Sequence, residues 1–414
     1  MMIQKILENS SNPHGLEELY QSNPDAFAQA FPEVWEQNPT STILAVWNER
    51  LNYKSSKNPG KFSIFEKKFV VMGILSLLAG AGMRAAFYFV NEQSILPINL
   101  IFGYLPFLAI FFVLQQPPKK AILYVVFGSI LAAILFVNFL PREGTDSILL
   151  SQLHLPVFLW LLLGLAFTGN EFRVHSTRLA FLRFNGNFAV VYGIMAVGGI
   201  VLTGLTISLF TMVDLEIVDI YMENVVVFGA AALAIVATYL VVNNLALPKN
   251  IVPMIAKIFS PLILTTLVVY LLTILWVGKN PFLDRDFLLV FNGVLLIVLA
   301  ITIFSITERG ESQGRTISDS INFALIVLAL IIDAVALSAI VFRLTSYGLT
   351  PNRLAVLGVN IVVLVHLAWI LFTYFRFLRG KASLVVIQDV VAMYLPVYGI
   401  WAAVVAFTFP LLFP

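Results

Sequence analysis

From Phe69 to the C-terminal end, apolar stretches of about 20 residues recur, broken only by short polar turns. A helix of roughly 20 apolar residues matches the ~30 Å hydrocarbon layer of a bilayer. Backbone groups in lipid must be satisfied within their own segment, so such runs are read as helices. Eleven spans are predicted, over residues 69–90, 96–115, 120–140, 149–168, 187–211, 222–243, 254–277, 286–306, 318–342, 353–375 and 391–412. The expected fold is all-α: a polytopic transmembrane bundle over 67–414, preceded by a small helical cytoplasmic region over 1–66.

Composition narrows the classes further. The chain is 59% hydrophobic and 12% charged, far from the roughly 45–50% and 25% of soluble domains. A net charge of +2 gives no basis for nucleic-acid binding. The absence of cysteine excludes disulfides, thiolate metal sites and cysteine nucleophiles. The first long apolar run follows a polar segment, so no signal peptide is expected.

Orientation follows from the distribution of Lys and Arg in short loops. With the N-terminus inside, the cytoplasmic side holds Lys54, Lys57, Lys61, Lys67, Lys68, Lys119, Lys120, Arg173, Arg178, Arg183, Lys249, Lys257, Arg309, Arg315, Arg376, Arg379 and Lys381. The opposite side holds Arg142, Lys279, Arg285, Arg343 and Arg353, while acidic Asp214, Glu216 and Asp219 also fall outside. Eleven spans then place the C-terminus outside. Arg173, Arg178 and Arg183 alternate with apolar residues, which reads either as a basic amphipathic helix on the anionic inner leaflet or as an ordinary positive-inside loop.

In residues 1–66, apolar positions recur at helical spacing: Leu16, Leu19, Tyr20; Phe27, Phe31, Val34, Trp35; Ile43, Val46, Trp47, Leu51. Asn12-Pro13, Asn23-Pro24 and Asn38-Pro39 punctuate them, since Asn before Pro starts a turn. Three short amphipathic helices are expected, with Ser22 or Asn23, and Thr40 or Ser41, as N-caps. So short a region buries little surface alone and is expected to pack on the membrane domain or on a cytoplasmic partner.

Ionisable residues inside spans are costly and mark function by default. Arg84, Asp333 and His366 are the three that stand out. Gly73, Ser76, Gly80 and Arg84 share one face, whose small residues imply a close neighbour. The same argument applies to Gly193, Gly198, Gly199 and Gly204 in the fifth span. Asn322, Ala329, Asp333, Ala336 and Arg343 share about a quarter of the ninth span's circumference, so Asp333 should look into the bundle. An Arg84–Asp333 pair would offset two desolvation costs, either as a helix lock or as a charged centre in a water-accessible cavity. His366 could relay protons or simply bond a neighbouring helix. His14, His154 and His175 lie on other elements, and no metal-ligand spacing or nucleophile–base pair is present. No metal, cofactor or catalytic residue is therefore expected.

The segment from Arg343 to Arg353 is the most unusual local sequence. Gly348 suits a backbone angle other residues avoid, Thr350 an N-cap and Pro351 a first helical position. Arg353 in a first helical turn runs against the dipole, and two arginines outside run against the positive-inside trend. Arg343, Tyr347, Thr350 and Arg353 are therefore candidate ligands for a phosphate or carboxylate, unless the two arginines snorkel to lipid headgroups or pair with Asp284 or Asp286. Tyr347-Gly348-Leu349-Thr350 followed by Arg353, between two late spans, resembles a motif of bacterial multi-pass membrane proteins of the DUF4153 and DUF4173 families. The resemblance implies a bacterial inner-membrane protein and no particular activity.

Three functions fit these features. The first is a transporter or permease for an anionic or lipid-linked ligand, with an outward polar cavity and coupling through Arg84, Asp333 and His366. The second is a scaffold or regulatory subunit that recruits a cytoplasmic protein through residues 1–66. The third is a membrane enzyme acting on a lipid-linked substrate.

Overall fold

The computed structural model describes residues 2–52, 67–92, 96–141, 145–211, 216–244, most of 260–272, 285–309 and 316–413. Every regular element among them is helical. The chain divides into two units, Met1–Ser63 and Ile64–Pro414.

The first unit holds four helices rather than three: α1 (Met2–Glu8), α2 (Pro13–Ser22), α3 (Pro24–Gln37) and α4 (Thr42–Asn52). The Asn-Pro pairs explain the first breaks. Pro cannot donate its backbone nitrogen, so it sits harmlessly in a first helical turn. Asn12 and Asn23 precede it and accept from the backbone N–H of Gly15 and Ala26. Ser41 caps α4 through the N–H of Leu44. Ile6, Leu16, Phe27, Phe31, Val34, Leu44 and Trp47 form a core of the unit's own. Burying each large apolar side chain contributes roughly 1.5–3 kcal/mol. Outside it, Arg50 pairs with Glu17 and stacks 4.4 Å over Trp47. That guanidinium holds the Glu17 carboxyl below the usual range.

The second unit is α5 (Lys67–Asn91), α6 (Leu100–Gln115), α7 (Lys120–Phe139), α8 (Asp146–Thr168), α9 (His175–Thr211), α10 (Val218–Val242), α11 (Arg285–Thr307), α12 (Ile317–Tyr347), α13 (Pro351–Leu378) and α14 (Leu384–Leu412). Among the described residues, nine of these helices are long and apolar enough to cross a membrane. They fall on nine of the predicted spans. The eighth predicted span coincides with α11, whose apolar part, Phe291–Thr307, is shorter. The seventh, 254–277, lies largely outside the described residues. The chain is a multi-pass membrane protein of helical type.

The spans pack as two groups. One core gathers α5 to α10 together with Ala406 of α14, the other α11 to α14 together with Leu267. Within the first, α5 and α6 cross backbone to backbone at Gly82 and Gly103, where a Cβ on either would strike the other chain. The predicted small face of α5 has a close neighbour only in part: Gly80 sits against Phe228 of α10, whereas Gly73 faces open space. The α9 glycines do not: Gly193, Gly198, Gly199 and Gly204 face open space.

α8 and α14 join the two groups in antiparallel contact. Two prolines interrupt α14, at 396 and 410. A helical proline removes the N–H that would serve the carbonyl four residues earlier. Both freed carbonyls have found other donors: Ser151 Oγ donates to Ala406 O at 2.6 Å, and Arg178 Nη1 to Ala392 O at 3.4 Å. Ser147 Oγ similarly serves the carbonyl of Phe413 at 2.6 Å.

These contacts resolve the basic segment at Arg173–Arg183. It is the entry into one continuous helix, α9, and not a separate helix lying on the membrane. Arg178 holds the carbonyls of Phe172 and Ala392. Arg183 donates through Nε to the carbonyl of Thr307, at the end of α11.

Candidate functional site

Each intramembrane charge can now be placed. Arg84 does not meet Asp333, because it belongs to the α5–α10 group. Its Nε donates to Asn224 Oδ1 at 2.8 Å and its Nη2 lies 3.6 Å from Glu223 Oε2. Both partners sit in a π-helical turn, Met222–Val226, within α10. The added residue in such a turn re-aims side chains, here bringing two polar groups onto one guanidinium.

Asp333 belongs to the α11–α14 group. Asn322 sets the geometry of that group: its Nδ2 donates to Ser305 of α11 at 2.8 Å and to Tyr374 of α13 at 3.4 Å. The Asn322 face of α12 therefore looks into the groove between α11 and α13. Asp333 lies about three turns along and within about 20° of that face. On antiparallel α13 the same distance back from Tyr374 reaches Val363. Asn360 is about one turn further, within about 40° of the Tyr374 face. Asp333 and Asn360 thus come from facing surfaces at nearly the same depth.

Both residues are completely buried. Neither carboxylate oxygen of Asp333, and neither end of the Asn360 amide, has a hydrogen-bond partner among the described residues. Asn322 Oδ1 and Thr302 Oγ1 of α11 are in the same position. Buried polar atoms are nearly always paired. Leaving an ionised carboxylate unpaired in an apolar interior costs so much that it holds a proton or a cation instead. Small residues, Ala329 and Ala336, flank it on the same buried face of α12.

His366 lies about one turn from Val363, turned towards α14. Its Nδ1 is 2.7 Å from the Tyr398 hydroxyl, and its ring stacks on Tyr394 at 4.3 Å. Tyr394 in turn donates to the carbonyl of Val362 at 2.8 Å. The histidine is thus held by two tyrosines immediately around Pro396.

The turn after α12 has a structural explanation that sequence alone lacked. Gly348 has φ +80° and Thr350 accepts from the Arg353 N–H. The Arg353 guanidinium folds back onto the carbonyls of Tyr347 (2.9 Å) and Gly348 (2.6 Å). It also stacks 5.7 Å over the Tyr347 ring. A cation is favourable at a helix C-terminus, so Arg353 serves the end of α12 rather than opposing the start of α13. Arg343 is half-buried on the last turns of α12, and Asn352 bonds Asp146 at 2.6 Å.

A second polar cluster, absent from the sequence reading, closes the other end of this helix group. Arg309, just past α11, pairs with Asp319 in the first turn of α12 and lies 5.4 Å over Phe377. Asp319 also accepts from the Thr316 backbone at 2.7 Å. Gln388 of α14 donates to the carbonyls of Ile306 and Arg309. Beside them Glu308 is largely buried, which pushes its carboxyl above the usual range although Arg183 opposes the shift.

Two cavities among the described residues are apolar, unlike the polar cavity expected. One, of about 460 Å³, lies between α5, α6, α8, α9 and α10 against Tyr104, Pro156, Trp160 and Tyr192. The Trp160 indole is bound by Asn185 and the Tyr192 hydroxyl by the Ala230 carbonyl. The other is a lipid-side groove between α8 and α14. No cluster of metal-binding side chains occurs among the described residues.

No family model, no curated protein and no solved structure matches this chain.

Proposed function

We propose that this protein is a proton-coupled carrier of the bacterial inner membrane, with its N-terminus inside and Asp333 as the group that takes up and releases the proton. The observation that carries this reading is the buried Asp333 carboxylate on the inward face of α12, without a hydrogen-bond partner among the described residues. Intramembrane carboxylates of this kind recur in proton relays. His366, held by Tyr398 beside the proline of α14, is a second proton-bearing group at similar depth. The apolar cavity between α5, α6, α8, α9 and α10 favours a lipid-linked or amphipathic ligand over a small hydrophilic anion. The Arg343–Arg353 turn acts in this reading as a rigid joint between α12 and α13. Its likeness to the DUF4153 and DUF4173 turn supports the bacterial assignment.

The test uses the absence of native cysteine. A single Cys at position 333 is probed with a membrane-impermeant thiol reagent, with Cys at 347 and 352 as exposed controls. Labelling from one side means water reaches the seam along this face of α12, as a carrier requires. No labelling while the controls react means a closed seam, and the reading fails.

A second reading is favoured by the separate core of Met1–Ser63. A unit that folds around its own aromatic residues is suited to recruiting a cytoplasmic protein, which makes the membrane domain a scaffold. If deleting residues 1–52 costs neither a co-purifying partner nor a phenotype, this reading fails.

A further inference from the structure

The groove between α8 and α14 has three properties that together specify an occupant. Its volume is about 310 Å³ and its walls are apolar apart from one end. It is open towards lipid, where Ile400 is 66% exposed. It is also built from small residues: Gly399 gives Leu161 its place, Gly164 gives Phe181 its place, and Ala403 lines the far part.

Its length is that of one leaflet. The α8 lining runs from Phe158 to Thr168, which at 1.5 Å per residue spans ~15 Å. That is about half of a ~30 Å hydrocarbon layer. The Thr168 end is the polar one. Thr168 is satisfied by its own helix, donating to the Gly164 carbonyl at 2.8 Å. The charge there is Arg178, which lines the groove. Its Nε and Nη1 are fixed by the carbonyls of Phe172 and Ala392. The second is the carbonyl that Pro396 deprives of its helical donor. Pro396 of α14, itself a lining residue, thus frees the carbonyl that anchors the cation at the groove's end. A guanidinium held by two carbonyls keeps a terminal nitrogen for an anion.

We infer that this groove is a binding site for an anionic phospholipid, with one acyl chain along α8 and α14 and the headgroup phosphate on Arg178. The site is independent of the carrier reading, since it shares no residue with the Asp333 seam.

The experiment is native mass spectrometry of the full chain in detergent, titrated with phosphatidylglycerol or with phosphatidylcholine of the same acyl composition. The wild type should retain one phosphatidylglycerol, with a preference over phosphatidylcholine of about fivefold, the scale of one basic residue at an anionic surface. Ala403→Phe, which fills the groove away from the charge, should remove retention of both lipids. Arg178→Gln should erase the preference, and Arg178→Lys should restore it, so a folding defect in the Gln variant is recognised by thermal unfolding of both. Equal retention of the two lipids by the wild type overturns the phosphate assignment. Unchanged phosphatidylglycerol retention in Ala403→Phe overturns the groove as the site.

Discussion

The hydroxyl of Ser151 on α8 lies 2.6 Å from the carbonyl oxygen of Ala406 on α14, the carbonyl that Pro410 leaves without a helical donor. A break in one membrane helix is thereby repaired by a side chain of another. In lipid no water is available for that role. Removing Ser151 should leave a buried acceptor unsatisfied, at a cost of about 1–3 kcal/mol. Ser151→Ala should lower the melting temperature in detergent. In a Pro410→Ala background, where residue 410 regains its N–H, the same substitution should cost markedly less. Equal losses in both backgrounds would sever the link between the proline and the serine.

Arg309 and Asp319 form a pair closed off from solvent, with Asp319 fully buried. Breaking such a pair from one side typically costs about 3–5 kcal/mol, because the remaining charge is stranded. Asp319→Leu alone should therefore destabilise strongly. The double variant Arg309→Met with Asp319→Leu should be the more stable of the two, since no charge is left stranded although both lose the Asp319 cap on the Thr316 N–H. Thermal unfolding of both in one detergent decides the point.

Asp333 is the opposite case, a carboxylate with no partner to strand among the described residues. A structural residue would be missed when removed, whereas a functional one is carried at a cost in stability. Asp333→Leu should raise the melting temperature, by about 1 °C for each kcal/mol gained in a chain of this length. Asp333→Asn should do so less, as it keeps a polar group in the seam. A fall in melting temperature for both would make Asp333 a structural lock.

Glu308 gives a pH dependence whose sign follows from burial. Its carboxyl is held above the usual range, so the folded protein binds this proton more tightly than the unfolded chain does. The stabilisation is complete below the unfolded value, near ~4.3, and is lost as pH rises through the folded one. Glu308→Gln, which stays neutral, should match the wild type at pH 4 and exceed it in melting temperature at pH 8. Parallel curves for the two proteins across that range would contradict the assignment.

Much of this was written along the chain itself. Leu16, Phe27 and Trp47 announce their helices by spacing, and the Asn-Pro pairs announce the breaks. Met2–Glu8 escaped because its apolar residues make too short a pattern to register. Gly348 and Thr350 do what their local chemistry demands. Arg353 looked misplaced because the carbonyls it serves close the preceding helix and meet it only once the turn is folded. Asn360 could have been noticed as an amide in the middle of an apolar run. Nothing local could have placed it opposite the α12 face that carries Asp333, as that depends on the register between two helices.

The sequence by itself determined that the chain crosses a membrane as helices, where those helices lie, and that Asp333 faces inward. These follow from transfer free energies and helical periodicity, which act within one segment. Only the tertiary structure decided which helices share a core. It gave Arg84 to Glu223 and Asn224 and left Asp333 in a different group, without a counter-charge among the described residues. The physical reason is that one lipid-soluble helix resembles another to the solvent. Their choice of neighbours rests on small-residue crossings such as Gly82 against Gly103, and on carbonyls freed by distant prolines.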